Sequence, residues 1–414
     1  MRIVLMAAVL GVAAAAPASA DTVADWMEFT NKIATPYQSG SGMMRTPEQD
    51  RAATRAALAM FEALNAIDRR YESYLGLPAA SDRGASADAA TATAAYRVLL
   101  QHFPAQKPVL DDNYAVAMSA IGEAKAREAG RTLGEAAAKA ALTAGGIDPT
   151  IAQAPYRPRT KAGIWVATAL PTIEASMAAY KPWAIPSAEA LRPPPPPALT
   201  SERWARDYNE VKRLGGKLSK DRTPEQTLMA RYRIGPDVMP SLKMVAADPK
   251  RTAVQNGRMF LLYQMAVDDA VVAMSAAKLH YDSWRPITAI RNGADDGNDA
   301  TAPDPAWVPL LPTPNFPEHP CGHCTFAGAV AEVMTAEVGP QPAMGVRVGS
   351  QSPNPTLTQR LPSWDEWVRQ VNDSRIYAGA HFRFANEAGE AVGRQAARAV
   401  LAKVARPLSS KRSR

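Results

Sequence analysis

Cysteine is almost missing from this chain: 414 residues contain two, Cys321 and Cys324. Two cannot staple a small secreted scaffold, so a disulfide framework is excluded as the source of the fold. Charged residues are also scarce, at 21% against 47% apolar, which excludes a disordered polyelectrolyte and leaves a globular chain with a large core. The formal charge of +7 is dispersed apart from the tail Lys411-Arg412-Ser413-Arg414. Nucleic-acid binding needs a basic stripe with interleaved aromatics, and none is present. Histidines number only five, so each can be weighed.

What is present begins with an export signal. Arg2, the apolar run Ile3 to Ala16 and the small residues Ala18-Ser19-Ala20 read as a signal peptide over 1–20, with the mature chain starting at Asp21. Beyond it no segment is long and apolar enough to cross a bilayer, because Asp268 and Asp269 interrupt the best run, Met259 to Ala277. The expectation is a secreted protein, and the Ala, Arg and Pro bias points to a bacterial periplasm.

Helical periodicity dominates. Thr46-Pro47-Glu48-Gln49 supplies an N-cap, a first-turn proline and a capping-box Gln ahead of Ala56, Leu58, Phe61, Leu64 and Ile67. Comparable patterns cover Ala90 to Leu100, Tyr114 to Ala129, Leu133 to Ala144, Ser201 to Leu214, Thr223 to Tyr232, Asn256 to Tyr281, His323 to Val338, Pro362 to Tyr377 and Asn386 to Val404. Alternating strand patterns are scarce, so the expected fold class is all-α. Pro193 to Pro197 must be extended, as a spacer or as a strap across one bundle. A single helical domain over 21–414 is expected.

Three clusters carry chemistry. In the first, Lys278, Asp282 and Arg285 fall at i, i+4 and i+7, so on a continuous helix two cations share a face with a carboxylate between them. The neighbouring Trp284 and the apolar stretch upstream favour burial, where cations need an anion. The second is Phe316-Pro-Glu-His319-Pro320-Cys321-Gly322-His323-Cys324. Gly322 lets the chain turn into an alanine-rich helix whose first N–H groups can face an anion, with His323 beside them as a proton donor. In the third, Ser374-Arg375 and His381 lie six residues apart, on different sides of an ideal helix; they converge only if the chain turns at Arg375 and becomes helical later. Together Lys278, Arg285, Arg375, the Gly322 N–H and two imidazoles suit an oxyanion with several negative oxygens.

These three motifs, with 33 residues between the first two and 50 between the second and third, resemble the signature of the superfamily of vanadium-dependent haloperoxidases and type 2 phosphatidic acid phosphatases. Trp284, Phe316-Pro317 and the stretch His381 to Gly389 are closest to the soluble haloperoxidase branch, as are Glu62 to Ile67, Asp207 to Lys212 and Arg222 to Gln226 upstream.

The resemblance implies a helical bundle in which Lys278, Arg285, Arg375, Cys321 and Gly322 hold the equatorial oxygens of vanadate or phosphate. His381 would then be the axial group, either the ligand to vanadium or the nucleophile, and His323 the acid-base residue. Phe316 would line a halide pocket. The implied activity is vanadate-dependent oxidation of halide by hydrogen peroxide. The alternative is a phosphomonoesterase acting through a phosphohistidine, and a third reading is a non-catalytic anion-binding or redox-responsive relative.

Two departures support that third reading. Cys321 replaces the usual serine, and Ala385 replaces the aspartate four residues beyond the axial histidine, leaving Asn386 or Glu387 to stand in. Cys321-Gly-His-Cys324 also has the spacing of thiol-disulfide exchange proteins, but no thioredoxin-like βαβ pattern surrounds it, and a structural Cys321–Cys324 disulfide is preferred. His102 and His280 read as structural or surface residues. Asp295 to Asp299 reads as a solvated acidic turn rather than a calcium loop.

Overall fold

The computed structural model describes residues 21–34, 49, 51–146, 156–169, 172, 176–350 and 357–408. The signal peptide expected over 1–20, the capping residues Thr46 to Glu48 and the basic tail lie outside them.

The centre of the bundle is the 29-residue helix α9 (Ala253–Tyr281). It starts with a capping box between Thr252 and Gln255, which satisfies two N–H groups that have no carbonyl a turn earlier. The packing partners of α9 include α1 (Thr22–Ala34), α2 (Ala52–Ile67), α11 (Gly322–Val338) and α13 (Arg383–Lys403). Among the described residues it is the one helix long and apolar enough to cross a membrane, and most of it is buried inside the protein. The two acids that interrupt it have internal partners. Asp269 accepts the backbone N–H groups of Trp183, Ala184 and Ile185 at 2.6, 2.8 and 2.9 Å, and Asp268 accepts from Thr54 and Trp183 side chains.

Around this core lie α3 (Ala87–His102), α4 (Lys107–Ser119), α5 (Ala124–Thr143), α6 (Glu202–Gly215), α7 (Pro224–Tyr232), α8 (Met239–Ala246), α10 (Pro286–Arg291) and α12 (Trp364–Ala378). The fold class is thus the helical bundle expected, with local corrections. The pattern from Tyr114 to Ala129 is not one helix: the chain breaks after Ser119, passes Gly122, and restarts on the Glu123 cap, whose carboxylate accepts the N–H groups of Lys125 and Ala126. That second helix runs on through the separately expected stretch from Leu133.

A small antiparallel sheet was not expected. It comprises β1 (Pro236–Asp237), β2 (Val346–Ser350) and β3 (Thr358–Leu361), with Pro236 opposite Ser350 and Val346 opposite Leu361. Its central strand buries Val346 and Val348 around an exposed Arg347, a period too short to stand out in the sequence.

The proline run is a strap. The carbonyl of Pro193 accepts from the Tyr281 hydroxyl, and that of Pro194 lies 3.0 Å from His319 Nε2, so the extended segment lies against the end of α9 and the approach to α11.

Candidate active site

The three clusters converge, by turns rather than by helical phase. Helix α9 stops one residue before Asp282, which adopts a left-handed conformation at φ 46° and pairs with Arg159. Lys278, Asp282 and Arg285 therefore do not share one helix face as expected. Lys278 lies in the last turn of α9 and Arg285 is the N-cap residue of α10, and the intervening turn brings both to the segment before α11. Lys278 Nζ donates to the carbonyls of Pro317 and Glu318, each at 2.8 Å, and Arg285 Nε donates to Phe316 O at 2.9 Å. Phe316 is half-buried, with its ring facing the Lys278 ammonium at 5.1 Å and the Arg285 guanidinium at 4.8 Å, so it packs on the cations.

The third cluster also corrects the expectation. Arg375 is fully helical, near the end of α12; the turn comes after it, at Gly379 (φ 74°), and His381 sits in the two-residue approach to α13. Gly379 is required there because a Cβ would lie 2.6 Å from the Gly215 carbonyl oxygen. This reversal returns His381 to Arg285, whose Nη1 lies 3.0 Å from His381 Nε2 and donates to Ala380 O at 3.0 Å.

The carboxylate missing at position 385 is supplied from elsewhere. Glu318 Oε1 lies 2.9 Å from His381 Nδ1 and accepts the Phe382 N–H at 3.0 Å. Since a guanidinium can only donate, Nε2 accepts from Arg285 and the proton sits on Nδ1. The side-chain amide of Asn386 donates to Asn372 O and Glu387 pairs with Arg203, so neither stands in. Glu318 was legible only as an acid inside an apolar, proline-flanked approach; its partner was not.

Cys321 and Cys324 form a disulfide and both are fully buried. Cys321 caps α11, its Sγ accepting the Cys324 N–H at 3.2 Å. Gly322 and His323 follow as the first helical residues, whose amides have no carbonyl one turn earlier. With the disulfide closed there is no free thiol to donate to an oxyanion or to be oxidised as one. Of the two departures, Ala385 is offset by Glu318, while the disulfide leaves position 321 without a side-chain donor.

A further residue escaped the sequence reading. Arg233, at the end of α7, is fully buried; its Nη2 donates to Gln370 Oε1 at 2.6 Å and to Gln359, while Nε and Nη1 have no partner. The next carbonyl, Ile234 O, lies 2.9 Å from His323 Nε2, so Nε2 carries the proton and Nδ1 the lone pair. Nothing in the sequence around Arg233 separates it from a surface arginine.

Charge at the site is strongly one-sided. Burial, reinforced by Arg285, holds the Lys278 ammonium well below its ordinary pKa. Burial lowers Arg285 to about 10 and, with the charge of Arg233, Arg375 to about 9. Burial and then the Arg375 charge lower His323 to about 3, and burial followed by Arg285 holds His381 well below the usual imidazole value. Burial lifts Glu318 to about 7. Arg285 Nη2 and Arg375 Nη2 are buried donors with no partner. Such a set is costly unless an anion completes it.

The remaining candidates are structural. His102 is buried beside Arg55, and His280 is exposed. His319 bonds Pro194 and is lowered by burial to about 4. Asp296, within the acidic turn, is buried and accepts from Trp204 Nε1 and Thr301 Oγ1. Among the described residues, no group of three or more His, Cys, Asp and Glu is placed to hold a metal ion.

Residues 258–410, which hold Lys278, Arg285, Glu318, His323, Arg375 and His381 but not Arg233, match the family model of the VCPO second helical-bundle domain. A stretch of 87 residues is 34% identical to vanadium chloroperoxidase of Curvularia inaequalis, covering 19% of this chain and 14% of that protein. Among solved structures, the first bacterial vanadium-dependent iodoperoxidase superposes with a TM-score of 0.78 at 18% identity, over 96% of this chain and 100% of that one. An apo bacterial vanadium-dependent chloroperoxidase gives 0.66 at 16% identity, over 89% and 96%. At those identities the structural likeness shows the fold. Taken with the family match on the site-bearing helices, it supports the superfamily of vanadium-dependent haloperoxidases and type 2 phosphatidic acid phosphatases.

Proposed function

We propose that this chain is an exported, vanadium-dependent haloperoxidase-like enzyme that uses hydrogen peroxide to oxidise halide. The observation that carries the reading is the convergence of Lys278, Arg285 and Arg375 around His381, with buried guanidinium N–H groups left unpartnered. A vanadate oxyanion would fit that donor set: Arg285, Arg375, Lys278 and the Gly322 amide would hold its oxygens, and His381 Nε2 would bind it on giving up the hydrogen bond from Arg285 Nη1. Bound vanadate supplies a Lewis-acidic centre for activating peroxide.

The chain's own residues do the rest. The three cations neutralise the oxyanion, and the Gly322 amide adds a donor at a helix N-terminus. Glu318 fixes the tautomer that puts the lone pair on Nε2, where Arg285 Nη1 now donates. His323, neutral with its Nδ1 lone pair available, is placed to take or return a proton, and an anion beside Arg375 raises its basicity by screening that charge. Phe316, already against two cations, is the proposed wall of the halide pocket. The Cys321–Cys324 disulfide suits an oxidising compartment, in keeping with periplasmic export.

The Glu318–His381 pair favours a second reading, a secreted acid phosphatase. A histidine held by a carboxylate is an activated nucleophile, and its positive phosphohistidine form would be stabilised by the same Glu318.

The test uses purified chain in two assays: halide oxidation with vanadate and hydrogen peroxide, and phosphomonoester hydrolysis without vanadate. Vanadate-dependent halogenation supports the first reading, and hydrolysis inhibited by vanadate supports the second. His381→Ala should abolish whichever activity is present; undiminished turnover in that variant removes His381 from either role.

A further inference from the structure

Arg233 is a buried charge that the oxyanion reading leaves unused. It is the C-cap residue of α7 and fully buried; Nη2 donates to the amide oxygens of Gln359 and Gln370, while Nε and Nη1 have no partner. The carboxylate whose charge it feels, Glu366, is already bound to Arg369 and to the Gln370 amide. Arg51, buried elsewhere in the core, is better compensated, with Asp268 at 3.8 Å and the Tyr180 and Trp183 rings each at 4.8 Å. Arg233 has the Tyr232 ring at 4.9 Å and no paired acid, and a buried charge left in that state is costly. Its place explains the need. Gln370 lies one helical turn before Ser374-Arg375 on α12, and the next residue, Ile234, holds His323 Nε2 through its carbonyl at 2.9 Å. Arg233 thus backs the Arg375–His323 side of the cradle, and its charge is one cause of the lowered Arg375 pKa.

We infer that Arg233 is a fourth cation of the oxyanion site, acting on the guest by charge rather than by contact, and that it biases the site towards doubly charged tetrahedral anions over singly charged ones. Contact is not available, because the guanidinium has no exposed surface for a guest to touch. Charge is, because a buried group is screened far less than one in water and its field crosses an intervening side chain. The interaction is proportional to the charge of the guest, so Arg233 gives a dianion twice the free energy it gives a monoanion. Removing that charge therefore costs a dianion about the square of the affinity factor it costs a monoanion of the same shape. A role confined to bracing α7 against β3 and α12 predicts otherwise, since a distorted cradle loses both guests alike. The residue lies outside the segment 258–410 that matches the family model, so this cation comes from the other part of the chain. The inference rests on the oxyanion site proposed above and adds the charge class of its guest.

Titration calorimetry of the full chain with sulfate and with perrhenate, two tetrahedral anions of charge −2 and −1, reads both affinities at one pH and one ionic strength. Arg233→Met and Arg233→Gln each remove the charge, the second keeping an amide to bond Gln370. In either variant the sulfate Kd should rise about tenfold and the perrhenate Kd about threefold. Gln359→Ala removes a bracing hydrogen bond at an exposed residue and keeps the charge, so both Kd values should stay within about twofold of wild type. Equal losses for the two anions, no loss of sulfate affinity in a folded neutral variant, or a Gln359→Ala defect as large as that of Arg233→Met each overturn the inference and leave Arg233 a brace. These results would remove Arg233 alone. A wild-type chain that binds neither anion would instead remove the oxyanion site, and this inference with it.

Discussion

At the scale of single residues, Glu318 is the group on which His381 depends. Its carboxyl, raised to about 7 by burial, holds the Nδ1 proton and so keeps Nε2 available. Glu318→Gln keeps the shape but not the charge. Vanadate or phosphate affinity, measured by titration calorimetry, should fall about 10–100-fold, the usual cost of losing a partner of a ligating histidine. Wild-type affinity in the variant would mean that Arg285 alone orients the ring. A second outcome concerns protons. The buried Lys278 has its pKa held well down, and an arriving anion reverses part of the cause, so its folded-state pKa rises on binding. As the pH is raised and the free cradle begins to lose the Lys278 proton, binding should therefore take up protons. Calorimetry in buffers of different ionisation enthalpy reads this directly, and the same apparent heat in all of them would show that the cations are fully charged before the guest arrives.

At the scale of elements, the site depends on how closely α11 and α13 approach. A Cβ at Gly389 would lie 2.3 Å from Cys321 O, and one at Gly393 would lie 2.0 Å from Thr325 O, both against backbone that cannot move independently. Gly393→Ala should force the helices apart at a cost of about 1–3 kcal/mol, seen as a lower melting temperature. Because the clash is with the first turn of α11, phosphate binding should weaken as well; a destabilised variant with unchanged phosphate Kd would disconnect this packing from the cradle. Nothing in the spacing of these two glycines marks the contact they make. What the sequence did show was periodicity: α7 with its Thr223–Gln226 capping box, α9, α11 and α13 follow from spacing and caps. It also showed which polar residues were too costly to bury without purpose. It could not show convergence, because Lys278 and Arg285 meet through the turn at Asp282, Arg375 and His381 through Gly379, and Glu318 reaches His381 across 63 positions. Each of those depends on tertiary packing rather than on a local pattern.

At the scale of the whole molecule, a site built from buried, unprotonated histidines makes stability depend on acidity. His319 and His323 have folded pKa values of about 4 and 3, and His381 is held well below its ordinary 6.5. As pH falls below 6.5 the unfolded chain protonates all three while the folded chain does not, so the unfolded state binds more protons and stability drops. Between about 7 and 4.5 the buried acids oppose this. Glu318 (about 7) and Asp269 (about 6) take up protons in the fold before they do in the unfolded chain, which stabilises the fold as pH falls through that window. Below about 4.5 the compensation ends, because those carboxyls become protonated in both states. With His323 at about 3 still neutral in the fold, the unfolded chain keeps the larger proton uptake and stability goes on falling. Paired carboxylates held low, such as Glu28 and Glu366, add loss of the same sign. Urea unfolding at pH 6, 4.5 and 3.5 should therefore give a stability that falls at each step, because three imidazoles outweigh two carboxyls even where the acids oppose them. Saturating phosphate should reduce that loss, since an anion in the cradle favours protonation of His323 and His381. Stability that stays level from pH 6 to 3.5, or a loss indifferent to phosphate, would mean that the imidazoles are already open to water and that the cationic cradle is not buried as a unit.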